Sequence, residues 1–192
     1  MNQHLETANA AAQACAAIGS APGQHETALV HGRFSAVCRD AAGNELWREE
    51  FDNLVTDQGA RLLLDNGLAG SAYTAAFFLG LISSTTFTAV ANADTMASHA
   101  GWLEAGLANA PTYSETARRT AAWAAAAGRS KALSAGLVFT FTGIGTVKGS
   151  FLTTVATKDG ITGSLYSAGL FSGGDQPVVA TNTLTVSYTA SL

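Results

Sequence analysis

Apolar and polar residues alternate most clearly in the last third of the chain. Residues 182–190 place Leu184, Val186 and Tyr188 on one side of an extended strand and hydroxyl-bearing residues on the other. Similar segments, separated by Gly- and Asp-containing turns, predict four strands at residues 134–142, 146–157, 163–171 and 182–190. Short strands punctuated in this way predict a mainly β fold, either an antiparallel β-sandwich or a jelly-roll-like barrel.

The pattern between residues 28 and 82 predicts a hairpin, a helix and a buried strand. Two strand-like segments, 28–39 and 45–51, flank a turn at 40–44 whose Gly and Asn tolerate positive φ. One short helix is expected to begin at Thr56, a capping residue, and to end at Asn66-Gly67. The apolar run at 73–82 is typical of a buried strand. The side chains expected to hold the core are Phe77, Phe78, Trp102, Phe139 and Phe141.

Two other regions lack this regularity. Residues 1–23 are Ala-rich and then Gly- and Pro-containing, which predicts an N-terminal arm and linker ahead of a β domain at 24–192. The arm has a weak apolar face, so we expect it to order against a neighbouring subunit, or to stay disordered where no neighbour is present. Residues 83–133 are poor in strand patterns and are expected to form long loops at an interface. The Ala run at 121–127 leaves a helix open as an alternative, since Ala favours helices.

The chain has unusually few charged residues, and this bears on which kind of surface it presents. Only 12% of its 192 residues are charged, against roughly 25% in an average soluble protein, and 47% are hydrophobic. Interface centres are depleted of charge, so this composition favours a protein that packs against other subunits. An ordinary monomer with an Ala- and Thr-rich surface is the alternative.

Several partner classes are disfavoured by the same composition. The net charge is −4, which is unlike the basic footprint of a nucleic-acid-binding protein. The nearest approach to a basic cluster, expected to be a solvated loop or a docking point for an acidic partner, is Arg118, Arg119, Arg129 and Lys131. Cys15 and Cys38 fit free thiols in a reducing compartment rather than a disulfide framework. No segment is apolar for long enough to predict a membrane helix, and the N-terminus lacks the basic region of a signal peptide.

No pattern predicts a catalytic, cofactor-binding or metal site. Asp94, Ser98 and His99 are too close in sequence for a hydrolase triad, so Asp94 and His99 are expected to tie down a loop anchored by Trp102. The four histidines lack zinc-like spacing, and they are His4, His25, His31 and His99. The Gly-rich turns lack a Walker lysine, and the pair Glu49 and Glu50 is not supported as a glycosidase dyad. We therefore expect a protein that is not an enzyme and needs no cofactor.

Residues 51–59, which read Phe-Asp-Asn-Leu-Val-Thr-Asp-Gln-Gly, resemble a segment of small structural proteins of tailed bacteriophages. The similarity spans about residues 32–190. It continues through the leucine-rich helix, the strand at 76–81, Tyr113-Ser114, and the segments at 137–142 and 163–171. Its most specific part is the block at 94–104, Asp-Thr-Met-Ala-Ser-His-Ala-Gly-Trp-Leu-Glu.

The resemblance implies a virion structural protein, assembled in the host cytoplasm. A capsid decoration or cement protein, which binds the major capsid protein and other copies of itself, is the first expectation. A tail, adaptor or fibre-attachment protein, with tail or neck partners, is the alternative. Neither nucleic acid nor a membrane is an expected partner.

Overall fold

The computed structural model describes residues 30–68, 77–85 and 89–192, so the expected arm at 1–23 lies outside the described residues. Within these ranges the chain forms one α-helix, α1 (Asp57–Leu68), and twelve β-strands. The strands are β1 (His31–Arg39), β2 (Glu45–Val55), β3 (Phe77–Ser83), β4 (Leu103–Gly106), β5 (Asn109–Thr112), β6 (Arg119–Ala121), β7 (Ser130–Ala132), β8 (Leu137–Thr140), β9 (Gly145–Thr153), β10 (Leu165–Leu170), β11 (Gln176–Val178) and β12 (Thr183–Ser191).

The strands form one curled, barrel-like sheet in the order β5-β4-β3-β9-β10-β2-β1-β12-β7. Strand β2 joins its two halves: residues 45–52 pair with β1, and residues 53–55 pair with β10. The pair β4–β5 is parallel, whereas every other strand pair along this path is antiparallel. The predicted mainly β fold with one short helix is therefore confirmed.

The alternation predicted for residues 182–190 is confirmed in β12, and β1 shows the same alternation. In β1 the buried positions include Phe34, Ala36 and Cys38, while the residues between them face outward. In β12 Leu184, Val186 and Tyr188 are buried, as their spacing predicted. Phe34 contacts the rings of Phe51 and Tyr188 at centroid distances of 5.1 and 4.6 Å, so these three strands share one aromatic core.

The central strands β3, β9 and β10 are buried on both faces. One face supplies the main core, and the other is covered by residues 89–102, which bring Met96 and Trp102 against Phe151. Of the five core residues expected from the sequence, four are buried. Phe78 is the exception and is half-exposed, because it alternates with the buried Phe77 and Leu79 along β3.

Helix α1 is positioned by its first turn. The Thr56 hydroxyl accepts a hydrogen bond from the Gly59 amide at 3.1 Å, which is the predicted cap. The same hydroxyl donates to the Leu165 carbonyl, and Gln58 Oε1 accepts from the Leu165 amide at 3.1 Å. The cap therefore also docks the helix onto the start of β10.

The alternative of a helix at 121–127 is wrong. Strand β6 ends at Ala121, and the following residues form a hairpin in which the Ala124 amide donates to the Ala132 carbonyl at 3.0 Å. The ring of Trp123 lies 6.1 Å from that of Phe77 and 5.9 Å from that of Tyr188. Tertiary packing of Trp123 thus overrides the helix propensity of Ala.

The expectation of long loops at 83–133 holds only for part of that region. Residues 89–102 form a connection without a named strand, but residues 103–133 contain β4, β5, β6 and β7. These strands have three or four residues each, which is too short for a periodic pattern to be read from the sequence. The three-residue strand β11 was not predicted for the same reason.

Candidate interaction surfaces

The Asp94–Glu104 block is the most specific part of the resemblance. Its first nine residues lie in a loop over the sheet that is held by hydrogen bonds within the loop. Asp94 Oδ2 accepts hydrogen bonds from the Ala91 amide and from Trp102 Nε1, both at 3.0 Å. His99 Nδ1 donates to the Trp102 carbonyl at 2.8 Å, and its ring stacks on the Trp102 ring at 3.9 Å. The expectation that Asp94 and His99 tie down a loop anchored by buried Trp102 is confirmed.

A buried ion pair fixes the end of this loop to the rest of the domain. Arg118 donates from Nε and Nη2 to the two carboxylate oxygens of Glu104, at 2.9 and 2.6 Å. Its remaining donors reach the carbonyl oxygens of Val155 and Gly160, at 2.8 and 3.2 Å. The Asp159 amide completes the cluster by donating to Glu104 Oε2 at 2.8 Å. Each charge is thus compensated by hydrogen bonds as well as by its partner.

The expectation that Arg118 belongs to a solvated basic cluster is wrong, because Arg118 is buried in this ion pair. Arg118 is only 2% exposed and makes four internal hydrogen bonds, whereas Arg129 and Lys131 are exposed. The sequence does not show that Arg118 is the buried arginine. Its partner, Glu104, lies 14 residues away on another segment.

A second buried cation lies beside this cluster. Lys158 Nζ donates to the Gly106 carbonyl at 2.9 Å and lies 3.9 Å from the centre of the Tyr113 ring. Loss of hydration lowers the pKa of Lys158, and the nearby carboxylates of Glu104, Glu115 and Asp159 act in the opposite direction. Gly106 has φ of +115°, and a side chain there would overlap the Tyr113 ring. The contacts lock β4, β5 and the 158–160 turn together.

Exposed apolar side chains flank β5, the last strand on one side of the sheet. Leu107, Ile144 and Ile161 are 61%, 76% and 68% exposed, and we call them the apolar loop tips. The turn with Leu107 is joined to the 158–161 loop by a 2.9 Å hydrogen bond from the Ala108 amide to Asp159. The 143–144 turn is joined to the other end of β5 by bonds to the Thr112 carbonyl. The apolar loop tips therefore project from turns that are held in place.

An apolar groove lies at the opposite side of the sheet, beside β7. Its volume is about 300 Å³, and we call it the terminal groove because the first and last described residues, Val30 and Leu192, both line it. Leu63 of α1 forms another wall and is 37% exposed. Arg129 and Lys131 lie at its rim. Leu107 lies in the 83–133 region that was expected at an interface, whereas the exposure of Ile144 and Ile161 and the terminal groove were not predicted.

The two histidines that the structure describes, His31 and His99, lie on different elements. His31 lies on β1 and His99 on the loop over the sheet, while His4 and His25 lie outside the described residues. In ranges 30–68, 77–85 and 89–192, no three His, Cys, Asp or Glu residues are grouped so that they could hold a metal ion. Glu49 is buried and accepts from Gln176 Nε2 at 2.6 Å, whereas Glu50 pairs with Arg33 on the outer face.

Comparisons with protein families, with curated proteins and with solved structures found no match for this chain. Within the part of the chain that the structure describes, no helix has the length and apolar character needed to cross a membrane.

Proposed function

We propose that this chain is a structural protein of a tailed-bacteriophage particle, which attaches to the capsid as a decoration or cement protein and catalyses no reaction. Its partners are the major capsid protein and neighbouring copies of itself. The observation that carries the proposal is the set of apolar loop tips that flank β5, the last strand on one side of the sheet. Exposed apolar side chains grouped in this way are typical of surfaces that dock on other proteins.

The rigidity of the supporting turns favours this interpretation. The buried Glu104–Arg118 pair and Lys158 hold the turns that carry Leu107 and Ile161, and the Thr112 carbonyl holds the turn that carries Ile144, so little backbone has to be ordered on binding. A preorganised surface loses less conformational entropy when it binds. The low charge content of the chain agrees with a surface of this kind, because charges are depleted at interface centres.

The internal bonds of the Asp94–Glu104 block also fit a structural role. Asp94 and His99 direct their polar atoms at the backbone and the indole of the same loop. The block thereby covers the outer face of β3 and β9, where it buries Trp102. The resemblance to phage structural proteins, which is most specific in this block, then reflects how the fold is held together.

Charged substitutions at the apolar loop tips test the proposal. Purified variants Leu107→Glu and Ile161→Glu are added to phage particles that lack the protein, and the bound fraction is measured after sedimentation. We expect affinity to fall on the order of tenfold for each variant, since a central apolar contact is lost and a charge is buried.

The matched control is Leu64→Glu, which charges an equally exposed leucine on α1. It is expected to bind as the unmodified protein does. Circular dichroism checks that all three variants remain folded. Equal binding by every variant, or no binding by the unmodified protein, would contradict the proposal.

A further inference from the structure

The terminal groove leaves an apolar surface open at the point where the described chain begins. Val30, the first described residue, forms part of its wall, so residues 24–29 are covalently tethered at the groove. A cavity of about 150 Å³ is large enough for a benzene-sized group, so about 300 Å³ admits more than one apolar side chain. The two residues that immediately precede Val30 in the sequence are Ala28 and Leu29, and both are apolar.

Charge complementarity favours the same segment. Residues 1–29 contain two carboxylates, Glu6 and Glu26, and no Lys or Arg. The rim of the groove carries Arg129 and Lys131. Lys131 Nζ donates to the Ala124 carbonyl at 2.9 Å, whereas none of the ion pairs among the described residues includes Arg129.

The segment from Glu26 to Val30 is long enough to reach Arg129. His31 pairs with Ser191, and the next residue, Leu192, donates its amide to the Arg129 carbonyl at 3.0 Å. Two strand spacings, about 10 Å, therefore separate the start of β1 from the backbone of Arg129. Four extended residues span up to about 14 Å, so Glu26 can meet the Arg129 side chain.

We propose that residues 24–29 of the same chain occupy the terminal groove, with the Glu26 carboxylate paired with the Arg129 guanidinium. The contact fixes the direction in which residues 1–23 leave the β domain. Covalent continuity through Val30 gives the segment a high effective concentration at its own groove, which favours it over a second copy. The inference does not depend on attachment to a phage particle.

A glutamate-specific protease tests the contact, because it cleaves after Glu26 and after Glu6 in the same segment. The rate at Glu26 is measured in the unmodified protein and in Arg129→Glu, with the rate at Glu6 as the internal reference. We expect Arg129→Glu to raise the rate at Glu26 about fivefold, as the loss of one partly exposed ion pair predicts. Arg39→Glu, at the far end of β1, is the matched charge control and leaves the rate unchanged.

Substitution of the groove wall gives an independent measurement. Leu63→Asp is expected to raise cleavage at Glu26, whereas Leu64→Asp, on the same helix but outside the groove lining, is expected not to. The proposal is overturned if Arg129→Glu and Leu63→Asp leave the rate at Glu26 unchanged, or if the two controls raise it equally. Protection that increases with protein concentration would assign the groove to a second copy and would also overturn it.

Discussion

The Glu104–Arg118 ion pair shows how single residues hold the middle of this chain. It joins β4, the segment before β6 and the loop after β9, and its side chains are 3% and 0% exposed. The two residues are 14 positions apart and sit in an irregular stretch of sequence, so no periodic pattern could have paired them. By contrast, Trp102 and the Asp94–His99 loop were predictable, because their contacts are local in sequence.

Removing one partner of this pair is expected to destabilise the fold strongly. Arg118→Met leaves the Glu104 carboxylate buried without its counter-charge, and the expected cost is about 3–5 kcal/mol of unfolding free energy. The double variant Glu104→Leu/Arg118→Met removes both charges and is expected to be more stable than the single one. Urea unfolding measures both. A double variant less stable than Arg118→Met would show that the buried charges themselves stabilise the fold.

The buried thiol of Cys38 should make the unfolding free energy depend on pH in alkaline solution. Its burial raises the pKa of the thiol from 9.0 to about 11, with a smaller opposing effect from a backbone hydrogen bond at Arg39. Because the folded-state pKa is the higher one, this stabilisation is complete below pH 9.0 and is lost as the pH rises towards 11. The loss is on the order of 2–3 kcal/mol.

The Cys38→Ala variant isolates this contribution. The difference in unfolding free energy between the two proteins is measured from pH 8 to 11 by urea unfolding. We expect the difference to shrink at the alkaline end, since alanine does not titrate. Parallel curves for the two proteins would show that the Cys38 thiol does not titrate differently on folding.

At the scale of elements, α1 illustrates what a sequence pattern predicts and what it omits. The cap at Thr56 followed from residue type alone and is confirmed, whereas the helix expected to end at Asn66-Gly67 continues to Leu68. The docking of the helix did not follow, because it depends on the backbone of β10. A Cβ at Gly59 would lie 2.0 Å from the Tyr166 carbonyl oxygen, so only glycine permits this approach.

The substitution Gly59→Ala should therefore lower stability, although Gly to Ala within a helix ordinarily raises it by about 1 kcal/mol. The helix must move away from β10, and we expect a cost of about 1–3 kcal/mol, as for other overpacked sites. Thermal or urea unfolding provides the measurement, and Leu64→Ala on the exposed side of α1 is the control. A Gly59→Ala protein as stable as the unmodified one would contradict the close packing of α1.

The short strands mark the limit of prediction from sequence at this scale. Strands β1, β2, β3, β9, β10 and β12 have six to eleven residues and were each expected near their observed positions. Strand β8 has four residues and was expected because the alternation extends over residues 134–142. The other strands of three or four residues carry too few positions to show a period of two. The hairpin near Trp123 was missed because its Ala content favours a helix while its one large side chain belongs to the core.

At the scale of the whole molecule, the two ends of the curled sheet differ in what they offer. The β5 end presents rigid apolar loop tips, and the β7 end presents the terminal groove beside the start of β1. The mainly β class followed from repeated short strands and turns. An interface was expected at 83–133, which includes Leu107, but the composition of the two surfaces did not follow, since each joins segments that are distant in sequence.

The central claim, that the chain is a repeated component of a phage capsid, is tested most directly by counting its copies per particle. Quantitative mass spectrometry of purified virions, calibrated against the major capsid protein, gives that number. The account predicts on the order of hundreds of copies, because a decoration protein repeats over a symmetric shell. A count of about three, six or twelve, as for a tail or neck protein, or its absence from purified virions, would contradict it.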